Sequence, residues 1–189
     1  DYRNGATADI YAQLINNSGV VQWTADGVPI SLASNEQQLP NLISDGAGGA
    51  IIAWQDKRGG GDDIYAQRIN ASGVVQWLAD GVAISTASSS QRYPTITSDG
   101  ASGAIMTWCD YRNGSTNQDI YAQRIDNLGV VQWTANGIAI SNATVNQQNP
   151  IIIGDGAGGA IIAWRDRRNG TLIDWDIYAQ RVNGSGVVQ

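Results

Sequence analysis

An aspartate and an arginine two positions apart are the polar residues of this sequence best placed to do chemistry. The pair occurs as Asp1/Arg3, Asp56/Arg58, Asp110/Arg112 and Asp166/Arg168, and a tryptophan precedes three of the pairs, as Trp54, Trp108 and Trp164. A carboxylate and a guanidinium can hydrogen-bond sugar hydroxyls while an indole ring stacks on a sugar face. The pattern therefore predicts a repeated ligand-binding site.

The same pattern also fits a purely structural role. An aspartate can accept hydrogen bonds from turn amides, an arginine can pair with it, and a tryptophan can pack between layers. Recurrence in every copy favours this interpretation, because every unit must make the same turn. Trp175 lies in the longest loop and has no counterpart, so it is either an exposed recognition aromatic or a residue folded back on its own hairpin. Four more residues break the repeat, namely Arg92, Tyr93, Met106 and Cys109.

The inventory of reactive side chains is short. The chain has no histidine, one cysteine (Cys109) and one glutamate (Glu36). The Asp-Gly turns at Asp45, Asp99 and Asp155 could contribute to a calcium site, but calcium requires six to eight oxygen ligands. We therefore expect no metal, no cofactor and no enzymatic activity.

Charge and composition limit the partners. The formal net charge of −6 disfavours binding to a phosphate backbone, so nucleic acid is not expected. No apolar run approaches the roughly 20 residues of a membrane span. The 23 glycines and the single lysine, Lys57, are typical of a turn-rich secreted protein, and we expect an extracellular or cell-surface location.

The elements that position these residues are read from an internal repeat. The segment Asp-Ile-Tyr-Ala-Gln begins at Asp9, Asp63, Asp119 and Asp176, with spacings of 54, 56 and 57 residues. No window has helical periodicity, and each unit divides into four short strands. In the second unit these are Pro40–Ser44, Ala50–Trp54, Ile64–Ile69 and Val74–Trp77. The pattern predicts an all-β chain of four-stranded antiparallel blades, a β-propeller, in preference to a β-solenoid or a β-sandwich.

The repeats also predict the organisation of the chain. Residues 1–39 form a half blade and connector, and blades span 40–93, 94–149 and 150–189. Three full blades and a half cannot close a ring, so we expect either completion by missing blades of a longer chain or a homo-oligomer. Every length difference between units lies in the loop between the second and third strands, where ligands of repeat proteins often bind.

The segments PNLISDGAGGAIIAWQDKRG and DIYAQRINASGVVQW resemble the blades of extracellular bacterial β-propellers and, more distantly, sialidase-type blades with Asp-box turns. The resemblance implies a propeller fold, which in sialidase-type families often binds or cleaves sugars. The Asp box has the form S-x-D-x-G-x-x-W, whereas Asp45 here stands nine residues before Trp54. Because the sialidase catalytic set is also missing, no activity is carried over.

These observations predict a non-enzymatic extracellular binding module. It would be multivalent through its repeated loops, with a glycan or another protein as partner. The alternative is a structural or assembly protein of a surface layer, appendage or filament, or a platform for protein–protein interaction.

Overall fold

A computed structural model describes residues 1–114, 116–169 and 174–189. These residues form thirteen strands and no helix, and so none of them belongs to a helix that could cross a membrane. The strands are β1 (Ile10–Ala12), β2 (Val28–Ser31), β3 (Gln37–Ser44), β4 (Ala50–Asp56), β5 (Asp63–Ile69), β6 (Val82–Ser85), β7 (Gln91–Ser98), β8 (Ala104–Asp110), β9 (Asp119–Ile125), β10 (Ile138–Ser141), β11 (Gln147–Gly154), β12 (Ala160–Asp166) and β13 (Asp176–Val182).

The strands form four antiparallel sheets that follow one another along the chain. The first sheet contains β1 and β2, the second β3 to β6, the third β7 to β10 and the fourth β11 to β13. Consecutive strands are neighbours in every sheet. Turns join the first three strands of each four-stranded sheet, and a longer connector leads to the fourth strand. The all-β prediction is confirmed, and the first three predicted strands of the unit are present, although β3 begins at Gln37 rather than Pro40.

The predicted fourth strand, Val74–Trp77, is wrong. The Asn70 side chain accepts hydrogen bonds from the amides of Ser72 and Val74, at 3.0 Å each, and this tight turn leaves only an isolated bridge between Ile69 and Val75. The chain then leaves the sheet and returns as β6, which pairs with β5. Both segments are rich in β-favouring residues, so propensity did not distinguish them.

The sheets accordingly span residues 37–85, 91–141 and 147–182, after a first sheet of two strands. Within the described residues, two sheets have four strands and the fourth sheet has three. This count differs from the expected three full blades and a half because the fourth strand of each unit follows the connector instead of preceding it.

The turn between the first two strands of each four-stranded sheet is held by one carboxylate. Asp45 accepts hydrogen bonds from the amides of Ala47 and Gly49 at 2.8 Å, and its other oxygen accepts from Arg68 at 2.9 Å. Burial alone would raise the pKa of Asp45, but these hydrogen bonds outweigh it and lower the pKa. A Cβ at Gly49 would lie 2.1 Å from the Ile69 carbonyl oxygen, which explains why the turn ends in glycine.

Each sheet packs face to face on the next one. Ile51 and Ala53 of β4 point toward the third sheet, whereas Ile52 and Trp54 point toward the first, as the two-residue period of a strand dictates. Because both faces are covered, residues 50–54 of the strand are all apolar. The lone Cys109 is buried in the corresponding cluster between the third and fourth sheets.

A tryptophan after the third strand links each sheet to the next. The indole nitrogen of Trp77 donates to the carbonyl of Asn127 in the third sheet at 3.1 Å. Trp23 makes the same bond to Ala71 and Trp133 to Gly184, at 3.0 and 3.1 Å. The recurring Val-Val-Gln-Trp segment therefore mainly provides contact between sheets, and within its own sheet it forms an isolated bridge.

Candidate functional site

The aspartate–arginine motif forms a closed set of contacts at the end of β4. Trp54 and Asp56 point to one face of the strand, and the indole nitrogen donates to the Asp56 carboxylate at 2.8 Å. Arg58 donates to the same carboxylate through its Nε at 2.9 Å and its Nη2 at 2.7 Å. Asp56 is fully buried, so all of its acceptor capacity is directed to residues of its own sheet.

The other copies repeat this arrangement. Trp108 donates to Asp110 at 2.8 Å and Trp164 to Asp166 at 2.9 Å, and Arg112 and Arg168 pair with these carboxylates. Burial by itself would raise the pKa of Asp166, but the hydrogen bonds from Arg168 and Trp164 outweigh burial. The pKa of Asp166 is therefore lowered.

The tryptophans proposed to stack on sugar are not accessible. Trp54 and Trp108 have no exposed surface and Trp164 is 4 % exposed, so none offers a ring face to a ligand. The guanidinium of Arg58 lies 3.9 Å from the ring centroid of Tyr65, and it also donates to the carbonyl of Asp80 at 2.7 Å. This geometry fits the structural interpretation of the motif, in which the arginine holds the connector against the sheet.

Trp175 is half-buried and directly precedes β13. Its ring contacts the guanidinium groups of Arg165 and Arg167, each 4.3 Å from the ring centroid. The loop expected to display it includes residues 170–173, which lie outside the described residues. The ring thus belongs to a cation–π contact on its own hairpin.

A different surface brings residues of three sheets together. The first strands β3, β7 and β11 lie beside one another, and each has a bulge that leaves two residues out of the pairing register. The first residue of each bulge precedes a proline and has a positive φ, 52° at Leu39, 58° at Tyr93 and 53° at Asn149. A cleft of about 380 Å³ is lined by these three residues, by the prolines that follow them, and by Asn41, Thr95 and Ile151. We call it the convergence cleft.

The backbone at these three positions is strained. A residue before proline is disfavoured in a helical conformation, and a side chain at positive φ costs of order 1–3 kcal/mol. The neighbouring glutamines Gln37, Gln91 and Gln147 are buried and donate to connector carbonyls, which holds each bulge in place. In this strained conformation the side chains of Leu39, Tyr93 and Asn149 point into solvent.

The exposed side chains differ between the repeats. Leu39 is 47 % and Tyr93 49 % exposed, and Asn149 is also exposed. An aromatic ring beside Asn41, Thr95 and an amide provides one stacking face and several hydrogen-bonding groups. The sequence singled out Tyr93 as a departure from the repeat, but nothing in it indicated that Leu39 and Asn149 lie nearby.

Comparison of the chain with protein-family models and with curated proteins finds no match. In the described part of the chain, no three histidine, cysteine or acidic side chains are grouped so that they could hold a metal ion. The two oxygens of Asp45, considered above for calcium, are engaged by turn amides and by Arg68.

Proposed function

We propose that this chain is part of an extracellular β-propeller that binds carbohydrate without catalysing a reaction, and that the convergence cleft is its binding site. The propeller is supported by successive antiparallel sheets that pack face to face, with their first strands adjacent as around a common axis. The resemblance of the repeats to bacterial propeller blades supports the same arrangement and the extracellular location.

The observation that carries the proposal is the exposure of Tyr93 in a strained, three-sheet cleft. Most positions of the repeat are similar because each unit makes the same internal contacts, whereas Leu39, Tyr93 and Asn149 differ at equivalent places. Differences at equivalent exposed positions produce one asymmetric site, as recognition of a single ligand requires. The absence of catalysis is supported by Asp56, Asp110 and Asp166, whose carboxylates are already bound by tryptophan and arginine.

The test is a glycan array followed by calorimetry with the best ligand. Replacement Tyr93→Ala should weaken binding about tenfold, because an aromatic stacking contact contributes about 0.5–1.5 kcal/mol beyond its buried area. The matched control is Tyr2→Ala, since Tyr2 is 63 % exposed and lies outside the cleft. Silence over a diverse array, or equal loss in both variants, would refute the carbohydrate proposal.

An assembly role is the second candidate, and the outer face of the fourth sheet favours it. Ile153, Ile161 and Ile177 are 65 %, 43 % and 74 % exposed there, whereas the residues equivalent to the last two in the third sheet, Ile105 and Ile120, are fully buried by the next sheet. An exposed apolar face of this kind is typical of an interaction surface.

In the assembly role, the fourth sheet of one copy packs against a sheet of another copy. Light scattering over a range of concentrations should then show multimers, and Ile177→Asp should dissociate them. A monomer at every concentration would argue against the assembly role without affecting the carbohydrate proposal.

A further inference from the structure

One repeat lacks an asparagine that the other three possess. The residue after the arginine of the motif is Asn4, Asn113 or Asn169 in three units, but Gly59 in the second unit. The Asn113 amide donates to the Asp119 carboxylate at 2.7 Å. Asn4 donates to Asp9 at 3.1 Å and to the Tyr11 hydroxyl at 2.6 Å, and Asn169 donates to the Tyr178 hydroxyl. A planar N–H₂ group thus donates to the aspartate in one unit, to the tyrosine in another and to both in the first.

At Gly59 this group is missing and both acceptors remain. Asp63 is 8 % exposed, and Tyr65 is half-buried next to it on β5. Within the residues that the structure describes, neither the Asp63 carboxylate nor the Tyr65 hydroxyl has a hydrogen-bond partner. Both line a cavity of about 500 Å³ together with Gly59, Gly61 and the connector residues Thr86, Ala87, Ser89 and Ser90.

Arg58 is a cation near Asp63, and its attraction lowers the pKa of Asp63, but its hydrogen bonds go to Asp56 and to the Asp80 carbonyl. Asp56 is paired with Arg58 at 2.7 Å and Asp62 with Arg92 at 2.6 Å. Burial, followed by the nearby carboxylates of Asp56 and Asp62, raises the pKa of Asp63 to about 6. A cation bound at this carboxylate would offset that unfavourable environment.

We propose that this cavity binds a small organic cation with planar N–H₂ groups, a guanidinium or an amidinium, in the place that the asparagine amide takes in the other repeats. The ligand donates one N–H to the Asp63 carboxylate and another to the Tyr65 hydroxyl. A planar guanidinium presents several donors in a fixed geometry, as the asparagine amide does, and adds the positive charge that the carboxylate favours. This site shares no residue with the convergence cleft and does not depend on the carbohydrate proposal.

The first test titrates the wild-type chain with methylguanidinium at pH 7.5 and follows the carboxyl ¹³C resonance of Asp63. We expect saturable binding and a fall in the pKa of Asp63 when the probe is bound. Gly59→Asn should weaken binding at least tenfold, because the new amide would occupy the site. A Cβ at position 59 would lie 2.8 Å from the Asp63 carboxylate oxygen, the end of a side chain that can rotate, so the variant should fold.

A second variant keeps the proposal testable whatever the fate of Gly59→Asn. Asp63→Asn removes the carboxylate charge at nearly unchanged side-chain volume and should abolish the saturable heat of methylguanidinium binding in calorimetry. Tyr2→Ala, outside both this cavity and the convergence cleft, should leave that heat unchanged. A linear, unsaturable response of Asp63 in the wild type would overturn the proposal, as would full binding by a folded Gly59→Asn or Asp63→Asn variant.

Discussion

The contact between Trp77 and Gly129 allows a sharp test of what holds neighbouring sheets together. Gly129 has a φ of +83°, and a Cβ there would lie 2.8 Å from Cγ of the Trp77 ring. Gly100 has a similar φ of +76°, but a Cβ there would meet no atom within 4 Å. The two glycines therefore separate the cost of the backbone conformation from the cost of the contact.

The expected magnitudes follow from this difference. Gly100→Ala should lower the free energy of unfolding by about 1–2 kcal/mol, the cost of an L-residue in the left-handed region. Gly129→Ala carries the same cost and also displaces the indole ring. Overpacking adds about 1–3 kcal/mol, and weakening of the Trp77–Asn127 hydrogen bond adds about 0.5–1.5 kcal/mol. We expect a total of about 2.5–6.5 kcal/mol for Gly129→Ala.

Urea unfolding followed by circular dichroism measures both variants, and a double-mutant cycle assigns the difference. In a Trp77→Ala background, Gly129→Ala should cost no more than Gly100→Ala does, because the ring is absent. Equal losses for the two glycine variants in the wild-type background would refute the reasoning. So would an excess loss that persists without Trp77.

Two further predictions concern buried titratable groups. The pKa of Asp63 is about 6 in the folded chain and about 3.9 when unfolded, so protonation favours the folded state and this group's unfavourable contribution declines as pH falls from 6 to 4. Urea unfolding at pH 4.5 and 7.5 should show this gain in the free energy of unfolding, which is at most about 3 kcal/mol for the change in the pKa of Asp63. Asp63→Asn should remove the gain, and the same pH response in wild type and variant would contradict the assignment. Burial raises the pKa of Cys109 to about 12, so iodoacetamide should label the thiol only in urea-unfolded protein, and rapid labelling of the native chain would contradict its place in the core.

The fourth strand shows where sequence reasoning was insufficient. Val74–Trp77 and Val82–Ser85 are both short, apolar and extended in character, and either could pair with β5. The choice depends on the Asn70 turn and on the Trp77 hydrogen bond to Asn127, which lies 50 residues away. A contact at that distance along the chain leaves no local pattern to read.

The candidate sites show the same division. The sequence left the aspartate–arginine motif open to a ligand-binding and to a structural interpretation, and only the burial of Trp54 and Asp56 shows that these side chains are directed inward. The convergence cleft was not predicted, since Leu39, Tyr93 and Asn149 are more than 50 residues apart and become neighbours only when three sheets pack.

The sequence by itself determined the repeat, the all-β class and the turns of the first hairpin in each unit. These features depend on short-range effects, namely the alternation of side chains along a strand and the hydrogen bonds of Asp45 to amides two and four residues away. The tertiary structure alone decided which segment pairs with β5, which polar groups are buried, and which exposed residues meet. Those outcomes depend on contacts between sheets, where residues distant in the chain compete for the same neighbours.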